Sequence, residues 1–173
     1  MTKNLRVKSS EYIDETNRIS FKFNGKTYHG FKGDTLASAL LANDVHLVGR
    51  SFKYHRPRGI MTSGSEEPNA IVQINPGTNR TEPNVRATEV EIYEGLEASS
   101  QNCWPSVEFD IGGINNFLSP FFPAGFYYKT FMWPASFWEK YEFFIRHSAG
   151  LGKSPTSNAV SYTHLRAHET DSH

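Results

Sequence analysis

Residues 19–31 read ISFKFNGKTYHGF, and this stretch decides the fold. Apolar and polar side chains alternate over residues 19–23, as they do in strands that bury one face, and a second short segment follows Asn24-Gly25. Both central residues of a type I′ turn need positive φ, which Asn and Gly tolerate well, so this pair is a strong hairpin signal. The sequence therefore predicts two antiparallel strands over residues 19–23 and 26–31.

A short helix is predicted directly after the hairpin. Asp34 or Thr35 can cap it, and apolar side chains then recur at helical spacing as far as Ala42. Residues 48–68 are rich in Gly, Ser, Pro and basic residues, which indicates an ordered loop region. A buried strand follows over residues 70–74, and one or two more over 85–88 and 89–93. This order of elements indicates an α+β domain of the β-grasp type.

The second half of the chain has a different composition. Aromatic residues make up 14% of the sequence, and most of them lie beyond Trp104. Prolines recur between residues 105 and 134 and exclude long regular elements there, so one helix is predicted, over residues 135–147. A stretch with many rings and few strands indicates a segment that packs over another domain or subunit.

The chain is accordingly divided into four predicted regions. The last of them ends in SYTHLRAHETDSH, which looks like translated adapter sequence and is interpreted as a non-native tail. The regions are a polar arm (1–17), a β-grasp domain (18–95), an aromatic extension and linker (96–155) and the tail (156–173).

Composition excludes several classes of function. Lys+Arg and Asp+Glu are both 18, so no overall field favours nucleic acid or an anionic membrane. No apolar run approaches the ~18 residues of a membrane span, and residues 1–10 lack the apolar core of a secretory signal. A single cysteine, Cys103, is compatible with the cytoplasm. No Ser/His/Asp, paired-carboxylate or Cys/His arrangement indicates catalysis, and no metal site is predicted.

The sharpest local feature is the basic loop GRSFKYHRPR at residues 49–58. It could bind nucleic acid, with Phe52 and Tyr54 stacking on bases, although the zero net charge disfavours this. It could instead form ion pairs with Glu66 and Glu67. It could also contact an anionic group of another domain, because guanidinium groups bind phosphate or carboxylate in two places at once. The candidate anion-binding or domain-interface residues are Arg50, Lys53, His55, Arg56 and Arg58.

Three unusual strings resemble, in the same order, the amino-terminal part of the alpha subunits of heterotetrameric sarcosine oxidases. They are GRSFKYHRPRGIMTSGSEEPNA (49–70), EPNVRATEVEIYEGLEASSQNCWPS (82–106) and LSPFFPAGFYYKTFMWP (118–134). The resemblance implies a ferredoxin-like domain, followed in the complete subunit by dinucleotide-binding and folate-binding domains. It thus implies that residues 96–155 lead into the dinucleotide-binding domain, and that the basic loop could contact this domain or a cofactor phosphate held there. It also implies an assembly of four different subunits with FAD, covalent FMN, NAD and tetrahydrofolate, which oxidises sarcosine to glycine and passes the methyl carbon to folate.

The resemblance also implies a loss. Plant-type [2Fe–2S] domains hold the cluster with a C-x4-C-x2-C loop after the helix and a fourth cysteine. Residues 49–68 contain no cysteine, although positions such as Gly59, Gly64 and Glu67 lie where a redox relative would carry sulfur. Cys103 alone cannot hold a cluster. We therefore expect no cofactor and no catalytic residue in this chain, and a structural role beside the remaining domains of the enzyme.

Two other functions stay open at this point. A related flavin-dependent amine or opine dehydrogenase would share the architecture, although members of those groups tend to retain the cysteines. A free-standing protein-interaction module would have no enzyme attached. It predicts a monomeric chain with cooperative unfolding, whereas part of a larger subunit predicts exposed aromatic surface and association.

Overall fold

The hairpin predicted from Asn24-Gly25 forms the first edge of the sheet. Strand β1 (Asp14–Phe23) pairs antiparallel with β2 (Lys26–Lys32). Asn24 and Gly25 have φ of 50° and 76°, as a type I′ turn requires. β1 begins at Asp14, earlier than the predicted start of the domain at residue 18, and its register shifts once between those two positions.

This structure is a computed structural model that describes residues 5–6, 13–121, 135–148, 150 and 152–155. Most of the predicted polar arm, the aromatic run at 122–134 and the predicted tail at 156–173 lie outside these residues. After the hairpin come helix α1 (Leu36–Ala42), β3 (Gly49–Arg50), β4 (Pro57–Arg58), β5 (Ile71–Ile74), β6 (Glu82–Arg86) and β7 (Glu97–Ser100).

The main sheet has five strands in the order β2-β1-β7-β5-β6. β7 is its central strand, parallel to β1 and antiparallel to β5, and the sequence did not predict it. β3 and β4 form a separate two-stranded ladder inside the predicted loop region. The mixed sheet with one packed helix is the α+β, β-grasp architecture that the sequence predicts.

Helix α1 packs its apolar side against this sheet. Thr35 is its N-cap, and its hydroxyl accepts a hydrogen bond from the Ser38 N–H at 3.2 Å. The Asp34 carboxylate, the other predicted cap, instead binds the Arg6 guanidinium, with 3.0 Å between Oδ1 and Nη1. The fully buried side chains between helix and sheet include Phe21, Phe23, Leu36, Leu40, Val72 and Leu96.

The prediction of a strand over residues 89–93 is wrong. Glu91 makes only an isolated bridge to Thr35, and the backbone on either side of it forms hydrogen bonds with the residues at the start of α1. The Val90 carbonyl accepts the Leu36 N–H at 2.7 Å, and the Ile92 N–H donates to the Asp34 carbonyl at 3.0 Å. The first N–H groups of a helix lack partners within it, and this segment supplies one.

Among the described residues beyond β7, the backbone is irregular up to Asp110 and then forms several short helical elements, where the sequence predicts a single helix. A 3₁₀ turn (Ile111–Gly113) leads into a short helix, α2 (Ile114–Phe117), and a second 3₁₀ turn follows (Ser119–Phe121). The predicted helix begins as a 3₁₀ turn (Ala135–Phe137) and continues as α3 (Trp138–Ser148). Within the described parts of the chain, no helix is long and apolar enough to cross a membrane.

Candidate functional site

The basic loop consists of β3, β4 and the residues between them, and two hydrogen bonds between Ser51 and Arg56 close it. The Ser51 N–H donates to the Arg56 carbonyl at 2.9 Å, and the Arg56 N–H donates to the Ser51 hydroxyl at 2.9 Å. The Tyr54 ring has Lys53 Nζ 5.0 Å and Arg56 Cζ 4.7 Å from its centroid. The ring is therefore in contact with two cations of its own loop.

Arg50 directs its guanidinium toward backbone carbonyls of residues 107–108. Its Nε donates to the Val107 carbonyl at 2.8 Å and its Nη2 to the Glu108 carbonyl at 3.2 Å. Nη1 donates to the carbonyl of His55 within the same loop at 3.1 Å. The planar fork of donors thus joins the basic loop to a distant segment of the chain.

His55 and Asp110 form the buried centre of this contact. The Nδ1 atom of His55 lies 2.6 Å from Oδ2 of Asp110, and the two side chains are 8% and 1% exposed. The other carboxylate oxygen accepts the N–H groups of Trp104 at 3.0 Å and Gly112 at 3.1 Å. Asp110 thereby connects the basic loop to the backbone of residues 104–112.

Three of the five sequence-predicted site residues are brought together by this arrangement. Arg50 and His55 bind residues 107–110, and Arg56 Nε donates to the Asn116 side-chain oxygen at 2.8 Å. Their partners are not Glu66 and Glu67, so for these three residues the predicted ion pairs are wrong. The Arg58 side chain makes no hydrogen bond or ion pair with the residues that the structure describes.

The segment held by the basic loop exposes large apolar side chains to solvent. Phe117 is 84% exposed and Phe109 is 70% exposed. Scattered apolar residues on a protein surface are ordinary, but several within one short segment indicate an interaction surface. We call residues 104–118 the apolar segment, and its exposed members are Trp104, Phe109, Ile111, Ile114, Phe117 and Leu118.

Glu67 forms a second site, and the sequence did not predict the contacts of its side chain. Its side chain is 1% exposed, and Oε2 accepts the N–H groups of Met61 at 2.8 Å and Thr62 at 2.7 Å. Oε1 accepts those of Asn69 at 2.8 Å and Ala70 at 3.1 Å. Burial alone would raise the pKa of this carboxyl, but these four backbone donors together hold it at about 2.

The residues present do not fit an iron–sulfur cluster. Cys103 is the one cysteine of the sequence, and burial, with a smaller contribution from the Asp110 charge, raises the pKa of its thiol. A cluster of this type takes four thiolates. Within the described ranges, no group of three or more His, Cys, Asp or Glu side chains could hold a metal ion.

Comparison with known proteins identifies the fold family. The model of the 2Fe-2S iron–sulfur cluster binding domain matches residues 16–103. The sarcosine oxidase subunit alpha of Rhizobium meliloti is 62% identical over 150 residues, which is 86% of this chain and 15% of that protein. The corresponding subunits of two Corynebacterium strains, U-96 and P-1, are 36% and 38% identical over 89 residues, half of this chain and 9% of each relative.

A solved structure, L-proline dehydrogenase from P. horikoshii, is 22% identical with a TM-score of 0.40, over 52% of this chain and 16% of that one. That similarity is too weak to support an argument. The domain match covers half of the chain and agrees with the observed sheet and helix. The chain therefore belongs to the 2Fe-2S iron–sulfur cluster binding domain family, and its sequence corresponds to the amino-terminal region of the sarcosine oxidase alpha subunits.

Proposed function

We propose that this chain is the structural amino-terminal part of a sarcosine oxidase alpha subunit and has no catalytic activity of its own. The parent enzyme would be a cytoplasmic heterotetramer that oxidises sarcosine to glycine and passes the methyl carbon to tetrahydrofolate. FAD, FMN and NAD would be held outside this chain. The proposal is supported by the sequence match to a subunit several times longer and by the absence of a cluster ligand set in residues 49–68.

The observation that supports this role best is the apolar segment. Its backbone is fixed by Arg50, His55 and Asp110, so its exposed rings have a defined position on the domain. Rigid, exposed aromatic groups are characteristic of protein interfaces. We infer that the basic loop contributes to a domain interface chiefly by holding the apolar segment in place, and that Arg58 can contact the neighbouring domain directly.

The linker to the next domain would begin close to the sheet. Gln73 on β5 binds the backbone of Lys153 twice, with 2.9 Å from Nε2 to the carbonyl and 3.1 Å from Oε1 to the N–H. The Asn102 N–H also donates to the Gly150 carbonyl at 3.0 Å. These contacts would fix the point from which the chain enters the dinucleotide-binding domain.

The proposal is tested in the complete alpha subunit produced together with its partner subunits. Phe109→Ser and Phe117→Ser, combined, should reduce the recovered assembly several-fold, because interface aromatic residues contribute a large share of binding energy. The enzyme that does assemble should oxidise sarcosine at an unchanged rate per molecule, since neither ring would touch the substrate. Size-exclusion chromatography and a sarcosine turnover assay provide the two readouts.

Met61→Ser is the matched control, because Met61 is 71% exposed, close to the 70% of Phe109, and lies outside the apolar segment. It should leave assembly unchanged. Recovery of the double variant at the control level would contradict the proposal. The chain alone offers a second measurement: residues 1–155 should associate and bind a hydrophobic dye, whereas a dye-free monomer with cooperative unfolding would favour a free-standing interaction module.

A further inference from the structure

Glu67 is the centre of a loop whose backbone amides converge on one buried anion. Four N–H groups from residues 61–62 and 69–70 donate to its two oxygens at 2.7–3.1 Å. The Thr62 hydroxyl lies 3.3 Å from Oε2. Backbone amides arranged in this way make anion-binding concavities, and iron–sulfur clusters commonly occupy such concavities. In this chain the anion is supplied by the loop itself.

The residues around this carboxylate have the spacing of the missing cysteines. Thr62, Glu67 and Ala70 reproduce the C-x4-C-x2-C spacing, and the amides of Thr62 and Ala70 both bind Glu67. Thr88 reaches the same loop from the turn after β6, and its buried hydroxyl donates to the Gly64 carbonyl at 2.8 Å. The loop therefore has three positions with the spacing of cluster ligands and a fourth, distant residue in contact with it, which is the arrangement of the four ligands of a plant-type cluster.

The alternative register suggested by the sequence, Gly59-x4-Gly64-x2-Glu67, is disfavoured by the backbone. A Cβ atom at Gly59 would lie 2.6 Å from the carbonyl oxygen of His46, closer than real Cβ contacts allow. That oxygen belongs to the backbone, so the clash cannot be relieved by a side-chain rotation. A cysteine at position 59 would need a displaced loop, and Gly59 is therefore a poor counterpart for a cluster ligand.

We propose that the Glu67 carboxylate stands in the place of the lost cluster, as the anion around which residues 61–70 fold, and that Thr62, Glu67, Ala70 and Thr88 occupy the four ligand positions. The loop keeps its shape because the carboxylate of Glu67 replaces the anionic cluster as the acceptor of the backbone N–H groups. This explains how a domain of the cluster-binding family retains an ordered cluster loop without cysteine. The inference rests on family membership and on this geometry, and it is independent of the proposed enzyme.

The first test measures amide hydrogen exchange in the full chain and in its Glu67→Gln variant. Gln keeps the size of the side chain but removes the charge and replaces one acceptor by a donor. The amides of Met61, Thr62, Asn69 and Ala70 should exchange about tenfold faster or more, beyond any change in the sheet amides. Glu66→Gln, at an exposed neighbouring carboxylate, should leave them unchanged. Equal acceleration of loop and sheet amides, or none, overturns the role of Glu67.

The second test restores the thiolates in the full chain. Thr62→Cys, Glu67→Cys, Ala70→Cys and Thr88→Cys, combined and supplied with iron and sulfide, should bind about two iron atoms per chain, with visible charge-transfer absorption and an EPR signal on reduction. The matched variant in the other register, with Gly59→Cys and Gly64→Cys in place of the changes at 62 and 70, should bind none. Failure of the first variant to take up a cluster, whatever the cause, overturns the assignment of the four positions.

Discussion

The imidazole Nδ1 of His55 lies 2.6 Å from the Oδ2 atom of Asp110, and both side chains are almost completely buried. The two residues are far apart in sequence and belong to different parts of the molecule, the basic loop and the apolar segment. Arg50 and Arg56 reinforce the same junction from either side of His55. Two arginines of the basic loop, Arg50 and Arg56, thus bind another part of the chain.

Replacing Asp110 should detach the apolar segment. Asp110→Asn keeps the size of the side chain but leaves buried donors without their charged acceptor, so we expect a loss of about 3 kcal/mol in the free energy of unfolding. Asp44→Asn is the control, because Asp44 pairs with His46 at 2.9 Å on the exposed surface and should cost less than about 1 kcal/mol. Urea denaturation measures both variants, and equal losses would contradict the role of Asp110.

A side chain at Gly112 should destabilise the fold, whereas one at the neighbouring Gly113 should not. A Cβ atom at Gly112 would lie 2.3 Å from Nδ1 of the buried His55 ring, whereas one at Gly113 would meet nothing within 4 Å. Gly112→Ala should therefore cost about 2 kcal/mol by overpacking, and Gly113→Ala should be close to neutral. In a double-mutant cycle, His55→Ala should remove most of the additional cost of Gly112→Ala, because the clash disappears with the ring. Additive losses would show that the ring is not the cause.

The stability of the fold should fall in acid partly through Glu67. Its pKa in the folded chain is about 2, below the ordinary value of 4.5, so the charged form stabilises the native state. The contribution is complete above the ordinary pKa and is lost as the pH falls toward 2. Replacement by Gln should cost about 2 kcal/mol near neutral pH and progressively less toward pH 2. Denaturation curves between pH 7 and 2 measure this difference, and a constant difference would contradict it.

Local signals made the first part of the fold predictable. The Asn24-Gly25 turn and the helix cap are each determined by a few neighbouring residues. The turn is confirmed, and of the two predicted caps, Asp34 and Thr35, the structure has Thr35. The central strand β7 gave no such signal, because Glu97, Ser99 and Ser100 lack the apolar alternation of a strand. Its place depends on non-local pairing, parallel to β1 and antiparallel to β5, which no window of sequence reveals.

For the candidate sites too, local features could be predicted from the sequence and distant contacts could not. Sequence identified the cations of the basic loop but not their partners, since Arg50 binds the backbone carbonyls of Val107 and Glu108, which have no sequence signature. For Glu67 the sequence suggested an ion pair with the basic loop or a position where a redox relative carries sulfur, but not its four backbone donors. The one available signal was the C-x4-C-x2-C spacing, and without geometry that spacing could equally be placed three residues earlier, from Gly59.

Gln73 should control how firmly Lys153 is held against the sheet. Its amide binds both backbone groups of Lys153 and also donates to the Thr81 hydroxyl at 2.8 Å. Gln73→Leu keeps a similar volume but removes all of these bonds, so the Lys153 amide should exchange hydrogen about tenfold faster. Thr81→Val removes the hydroxyl partner of Gln73, together with the bond from that hydroxyl to the Ile74 carbonyl, and should leave the Lys153 amide protected. If both variants accelerate exchange equally, the linker is held by packing near Thr81, and the two bonds from Gln73 are not what fixes it.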